Sequence, residues 1–313
     1  MTSQALRFAG ITLLVSAWLV LMAPHVNAAP RVVVSIKPVH SLVAALMAGV
    51  AAPRLLVSGA ASPHGYALKP SDAEALAGAD VVIWIGPALE TSLKRLLGNL
   101  NKRVVIVELM KTHGLTRLKP RPAGPWASPQ LQHHEPRTNG SVDPHIWLDP
   151  GNARAIARSV VNILVKVDPT NSGTYAANAA GLSTRLDTLD RQIADQLAPV
   201  ASRPFLVFHD AVQYLVHRYR LNAVGAVILN PSLRPGAKRL RQLRTWMKTH
   251  GVACVFSEPQ FKSALINVVI EGTGARTGIL DPLGVDLAAG PDHYARLMLR
   301  NARALSDCLS KGP

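Results

Sequence analysis

The sequence predicts an α/β protein of two similar lobes, each with a parallel four-stranded sheet flanked by helices, joined by one long backbone helix. Three observations support this prediction: short β-branched runs fall into two groups of four, helical patterns separate the runs, and a long helical stretch lies between the groups. Strands that alternate with helices are typical of parallel sheets covered on both faces. The 313 residues are enough for two domains of ordinary size.

The predicted strands are short apolar runs rich in valine, isoleucine and leucine. In the N-terminal lobe, residues 29–167, they are 31–36, 54–57, 80–85 and 104–107. In the C-terminal lobe, residues 200–313, they are 205–208, 223–228, 252–256 and 276–280. Helical patterns at 40–47, 71–77 and 237–249 lie between strands, as the crossovers of parallel sheets require.

A long helix is predicted over residues 168–199, between the two groups of strands. Asp168 and Pro169 are typical of an N-cap followed by proline at the first helical position. Apolar residues then recur at steps of three or four, at Leu182, Leu186, Leu189, Ile193 and Leu197. A helix of about 28 residues would be about 42 Å long, so it could join two lobes while limiting how far they hinge.

The N-terminus has the pattern of a secretory signal peptide over residues 1–28. Arg7 provides the positive region, residues 11–22 are apolar, and cleavage is expected near Ala28. The apolar run is short for a transmembrane helix, which needs about 20 residues. No cysteine lies near the cleavage point, so we expect an exported protein with no stable membrane anchor.

We interpret the formal net charge of +15 as a basic surface typical of the protein's source, with nucleic acid or an anionic membrane surface as a partner being the alternative. Export disfavours nucleic acid. One predicted helix carries a basic cluster, namely Arg234, Lys238, Arg239, Arg241, Arg244 and Lys248. We interpret this cluster as a solvated face, with a docking surface as the alternative.

The chain has two cysteines, Cys254 and Cys308. In an exported protein they can pair. The chain-entropy model gives such a bond about 4 kcal/mol of stabilisation. Two unpaired thiols are the alternative.

Three histidines lie where a ligand site is expected. His64 and His209 each follow a predicted strand, in different lobes, and Asp281 follows the last strand in the same way. Ligands of open α/β sheets bind outside the carboxyl ends of the strands. With His145, these side chains could meet in a cleft and hold Zn²⁺, which usually takes four ligands. The spacing alone does not prove this, because a lone histidine beside a strand is often structural.

Four segments together resemble the ZnuA family, the zinc-binding proteins of bacterial ABC importers, within a wider group of metal-binding receptors that includes manganese binders. The segments lie in the expected order along nearly the whole mature chain. The first is Gly59-Ala60-Ala61-Ser62-Pro63-His64-Gly65-Tyr66 with Pro70-Ser71-Asp72, and the second is Asp143-Pro144-His145-Ile146-Trp147-Leu148-Asp149-Pro150. The third is Phe208-His209-Asp210-Ala211 with Tyr214, and the fourth is Leu280-Asp281-Pro282-Leu283-Gly284.

The resemblance implies a periplasmic monomer that captures Zn²⁺ as a transported ligand and delivers it to an ABC importer permease. It implies that His64, His145 and His209 are ligands and that Asp281 occupies the position of a carboxylate ligand in related receptors. Some zinc members carry an acid immediately before the first histidine, where this chain has Pro63. The resemblance also implies a disulfide between Cys254 and Cys308.

The alternatives are a Mn²⁺ or Fe²⁺ binder of the same family, a zinc-dependent hydrolase and a surface adhesin of the same fold. Manganese members usually have a carboxylate where this chain has His209, and imidazole suits Zn²⁺ better than Mn²⁺. The chain has neither an HExxH nor a GxSxG motif, which disfavours an enzyme. The proline-rich loop at 119–141 holds His133 and His134; we interpret it as a solvated loop, with a second zinc site as the alternative.

Overall fold

The computed structural model describes residues 28–59, 61–121, 142–228, 236–261 and 264–311. Residues 1–27 of the predicted signal peptide, residues 122–141 of the proline-rich loop with His133 and His134, and Arg234 of the basic cluster lie outside the described residues.

The N-terminal lobe is a parallel sheet of four strands in the order β2-β1-β3-β4. The strands are β1 (Val32–Ile36), β2 (Arg54–Val57), β3 (Val81–Trp84) and β4 (Val105–Glu108). The helices are α1 (Lys37–Leu46), α2 (Pro70–Ala77) and α3 (Thr91–Gly98). The central strands β1 and β3 are buried along their whole length, which explains why neither alternates between apolar and polar residues; the buried Ser35 is the one polar residue of the two strands.

The C-terminal lobe repeats this arrangement in the order β6-β5-β7-β8. Its strands are β5 (Phe205–Val207), β6 (Ala223–Ala226), β7 (Cys254–Ser257) and β8 (Arg276–Ile279). Its helices are α6 (Gln213–Arg218), α7 (Ala237–Thr249), α8 (Ala264–Ile270) and α9 (His293–Leu309). The predicted fold class, two lobes with parallel four-stranded sheets, is confirmed.

Two helices connect the sheets in the order of the sequence, α4 (Pro150–Val167) and the long linking helix α5 (Ser172–Leu197). The linking helix begins at Ser172, four residues after the predicted start at Asp168. The Asp168 carboxylate accepts hydrogen bonds from Asn171 Nδ2 and Tyr175 Oη, and it precedes a separate 3₁₀ turn at Pro169–Asn171. Proline at the start of this turn therefore separates α4 from α5.

The two lobes share a core that runs along the inner faces of both sheets and includes residues of α1, α4, α5 and α9. Polar contacts add to this core, since Lys37 Nζ at the start of α1 donates to the carbonyls of Gly284, Val285 and Leu287 beyond β8. The outer face of each sheet has its own smaller apolar cluster. The extensive inner core favours limited movement between the lobes.

A disulfide joins Cys254 in β7 to Cys308 in α9, with the two Cα atoms 6.3 Å apart, which confirms the predicted pair. The bond connects the sheet of the C-terminal lobe to the helix packed on its inner face. Within the described residues, none of the helices combines the length and the apolar character needed to cross a bilayer.

Candidate metal site

Three histidines from distant parts of the chain meet between the lobes. His64 lies in a 3₁₀ turn after β2, His145 immediately precedes the 3₁₀ turn Ile146–Leu148, and His209 follows β5. The Nε2 atoms of His64 and His145 are 3.3 Å apart. One ring nitrogen from each of the three residues lies within 4.8 Å of the other two. In the part of the chain that the structure describes, no other group of three or more histidine, cysteine or acidic side chains has its ligand atoms so close together.

Parallel topology explains how two of the histidines meet. Because β2 and β5 are parallel members of their sheets, His64 and His209 both lie beyond carboxyl ends of strands. His145 is positioned differently, by contacts of its segment with the C-terminal lobe. Tyr214 Oη donates to the carbonyl of Asp143, and Trp147 Nε1 donates to the carbonyl of Pro282. The segment that carries His145 is thus fixed against the same lobe as His209.

Buried carboxylates fix the rings of two of the three histidines. His145 Nδ1 is 2.8 Å from Asp143 Oδ1, and His209 Nδ1 is 2.5 Å from Glu258 Oε1. Each carboxylate also accepts the backbone N–H of its own histidine. A carboxylate at Nδ1 keeps the proton there and leaves the Nε2 lone pair available for a metal. Both histidines therefore present Nε2 to the centre of the cluster.

The electrostatics of the cluster favour neutral, ligand-competent imidazole at His64. Burial, together with the neighbouring His145 and His209 rings, lowers the pKa of His64 to about 3. Burial also acts to lower the pKa of His209, but the adjacent Glu258 carboxylate outweighs it and the pKa of His209 is raised. Glu258 therefore favours the cationic form of the His209 ring, and a metal that binds at Nε2 would release the proton there while the Nδ1 proton stays beside Glu258.

His209 Nε2 is buried and has no hydrogen-bond partner among the described residues. A buried polar atom without a partner, whether donor or acceptor, is costly, by about 1–3 kcal/mol. A cation bound by the three imidazole nitrogens would give His209 Nε2 a partner and remove this cost. The donor set, three neutral nitrogens with two rings held by carboxylates, fits Zn²⁺.

Asp281, the predicted fourth side chain, is buried beside the site, but its two oxygens are already engaged. Oδ1 accepts from the backbone N–H groups of Leu283 and Gly284 and from Gln260 Nε2. Oδ2 accepts from the backbone of Val285 and from the Arg300 guanidinium. The structure does not include Asp281 in the histidine cluster.

The cavity at the cluster has a volume of about 10 Å³, about the space of one water molecule. It is lined mainly by Pro63, Trp147, Phe261, Pro282 and Leu283 in addition to the histidines, Glu258 and Gln260. This space is of the size of a single ion or water molecule.

Glu258 is a residue that the sequence analysis missed. It is the first residue after β7, so it lies beyond the carboxyl end of a strand, as His209 and Asp281 do two residues after β5 and β8. The rule that selected those two residues would have selected Glu258 as well. Gln260, two residues later, was missed too; its Oε1 atom is buried at the site without a partner among the described residues.

Comparison with known proteins agrees with this geometry. A family model described as ZnuA, the periplasmic component A of the zinc-uptake complex, matches residues 32–308. The chain belongs to the ZnuA family. The predicted resemblance is confirmed, and the chain is a periplasmic zinc-binding component of a zinc-uptake system.

Relatives and solved structures of the ZnuA family match over nearly the whole chain. The high-affinity zinc uptake system protein ZnuA of Brucella suis is 42% identical over 306 residues, which covers 90% of this chain and 92% of the relative. The Yersinia pestis protein of the same description is 34% identical over 301 residues and covers 93% and 95%. A zinc-bound crystal structure of a ZnuA deletion mutant has a TM-score of 0.76 at 26% identity, covering 91% of this chain and 100% of that chain.

Proposed function

We propose that His64, His145 and His209 together hold Zn²⁺, captured in the periplasm as cargo for delivery to an ABC importer permease. The observation that carries this proposal is the convergence of three ring nitrogens within 4.8 Å of one another, on rings from three distant segments. The buried, unpartnered Nε2 of His209 supports it, because that atom has no other role among the described residues.

The fourth coordination position is open to a ligand of about the size of a water molecule. Asp281 was the expected carboxylate ligand, and both of its oxygens accept hydrogen bonds from the loop that follows it and from Arg300. We propose that Asp281 instead holds that loop and Gln260 against the site. Asp281→Asn should then weaken zinc binding much less than the loss of any one histidine.

Zinc is favoured over manganese as the cargo by the chemistry of the donors. Mn²⁺ prefers carboxylate oxygen, whereas Zn²⁺ suits imidazole and is higher in the order of affinities for nitrogen ligands. The cluster presents three imidazoles, and Asp143 and Glu258 are engaged at the Nδ1 atoms behind two of them. Fe²⁺ is disfavoured by the same order.

A binding protein without catalysis fits the site better than a zinc hydrolase. A catalytic zinc site keeps an open position beside a pocket for its substrate. Here the cavity of about 10 Å³ leaves no room for an organic substrate. We further propose that the chain is a monomer without a membrane anchor and that its signal peptide is removed near Ala28. The intact mass of the protein from a periplasmic extract tests the cleavage point, and its mass in solution tests the monomer.

Competitive titration with a zinc chelator tests the ligand assignment. His209→Ala should lose most of its zinc affinity, and His217→Ala, which removes an exposed histidine of α6, should retain it. Parallel titration with Mn²⁺ should give much weaker binding to the wild-type protein. Full zinc affinity in His209→Ala would contradict the proposal, provided that both variants show the wild-type circular dichroism spectrum.

A further inference from the structure

The helix α7 carries five cationic side chains and no acidic one. They are Lys238, Arg239, Arg241, Arg244 and Lys248, within the segment Ala237–Thr249. This is the helical part of the basic cluster that stood out in the sequence, and zinc capture gives it no role.

Three of these cations form one exposed stripe. With 3.6 residues per turn, Lys238, Arg241 and Lys248 project within about 80° of one another around the helix axis. All three are exposed, whereas Leu243 and Met247 on the opposite side of α7 are buried. The stripe extends for about 15 Å along the helix, at 1.5 Å per residue.

The charge of this stripe is not neutralised by an ion pair in the part of the chain that the structure describes. At its border Arg244 pairs with Glu271, and Arg239 donates to the carbonyl of Ala226. Among the described residues, no ion pair joins Lys238, Arg241 or Lys248 to an acid. Three positive charges therefore face solvent in a protein whose formal net charge is already +15.

No residue of the stripe lines the cavity at the zinc site. Leu243 and Met247 pack in the apolar cluster on the outer face of the C-terminal sheet, whereas the shared core and α9 lie on its inner face. Binding of a surface at the stripe would therefore use none of the three histidines, although Phe261 of the same outer cluster also lines the metal cavity.

We propose that this stripe on α7 binds the anionic phospholipid surface of the membrane that contains the importer. The side chains between the cations are polar and uncharged, namely Gln242, Thr245 and Thr249, and all three are exposed. A protein interface normally has an apolar, tightly packed centre, which this stripe lacks. A flat row of cations suits a diffuse layer of phosphate groups, where each lysine or arginine contributes about 1 kcal/mol.

This inference goes beyond zinc capture, because it concerns where the protein resides between capture and delivery. Weak attachment to the bilayer would confine the protein near its importer and raise the rate of productive encounters. The attachment should weaken as salt is added, because exposed charges are screened within about 10 Å at 0.1 M ionic strength.

Vesicle flotation with the exported protein tests the proposal. Vesicles of phosphatidylcholine with added phosphatidylglycerol should carry the wild-type protein at low salt, and pure phosphatidylcholine vesicles should not. The triple variant Lys238→Glu, Arg241→Glu and Lys248→Glu should partition at least about 100-fold more weakly, since three contributions of about 1 kcal/mol each are lost.

The matched control reverses three exposed cations on α4 and α5, Arg158→Glu, Lys166→Glu and Arg185→Glu, so its net charge changes equally. It should keep most of the wild-type partition. Equal loss in both variants would overturn the proposal in favour of net charge alone. The proposal would also be overturned if the wild-type protein did not float with the anionic vesicles. In that case, loss of importer-dependent zinc uptake in the α7 variant would indicate an acidic protein surface as the partner.

The zinc affinity of each variant is measured separately by chelator competition. It should be unchanged in both triple variants, so failure of the lipid proposal is distinguishable from failure of the zinc site. If the glutamate variant does not fold, Lys238→Gln with Lys248→Gln removes two charges more gently and should still lower the partition about 30-fold.

Discussion

Removal of the Glu258 carboxylate should weaken zinc binding although Glu258 is not proposed to touch the metal. Its Oε1 atom is 2.5 Å from His209 Nδ1 and also accepts the backbone N–H of His209. Without it, the imidazole loses the partner that fixes its tautomer and its orientation. The loss of such an outer partner typically lowers metal affinity about 10- to 100-fold, or about 1.4–2.8 kcal/mol. We therefore expect this loss for Glu258→Ala in chelator-competition titration at neutral pH.

The control for this prediction is another buried carboxylate remote from the histidines. Asp168 accepts hydrogen bonds from Asn171 and Tyr175, so Asp168→Ala removes a comparable buried acid. It should lower the free energy of unfolding and leave zinc affinity unchanged. Glu258→Asp should recover part of the affinity if the shorter carboxylate can still reach Nδ1. Wild-type zinc affinity in Glu258→Ala would refute the reasoning.

Three further predictions concern stability. Burial raises the pKa of Glu90 from 4.5 to about 7, so its contribution to the free energy of unfolding is full below pH 4.5 and is lost as pH rises through about 7. Urea titrations of wild type and Glu90→Gln should show a difference in this pH dependence of about 3 kcal/mol; equal pH profiles would contradict it. Replacing Cys254 and Cys308 by serine should lower the free energy of unfolding by about 4 kcal/mol, and an unchanged urea midpoint would contradict this. Gly284 has φ +66°, and an added Cβ would lie 2.6 Å from the His293 ring. Gly284→Ala should therefore introduce strain of about 1–3 kcal/mol and lower the melting temperature. An unchanged melting temperature would contradict this prediction.

The central strands β1, β3, β5 and β7 could be predicted from sequence because burial on both faces leaves a simple apolar signal. All eight strands of the described residues overlap predicted runs, with ends that differ by at most two residues. The start of the linking helix was harder, because the same Asp168-Pro169 pair that suggests an N-cap for a long helix serves a short 3₁₀ turn. Local sequence cannot distinguish these two outcomes when several helical residues follow.

The histidine cluster could be predicted in part, since two of its members follow strands and obey the general rule for parallel sheets. His145 follows no strand, and its position depends on contacts such as Tyr214 Oη with the Asp143 carbonyl, which no sequence pattern encodes. Asp281 illustrates the opposite limit. The position after β8 suggested a ligand, but whether its oxygens face a metal or the following backbone depends on the conformation of the loop at 281–285.

Anomalous diffraction at the zinc edge, from crystals of the zinc-loaded protein, tests the central claim most directly. The account predicts one strong peak between the lobes, with a ring nitrogen of His64, His145 and His209 each at about 2.0–2.1 Å from it. A peak that any of these three rings fails to contact, in a protein that still binds zinc tightly, would contradict the account.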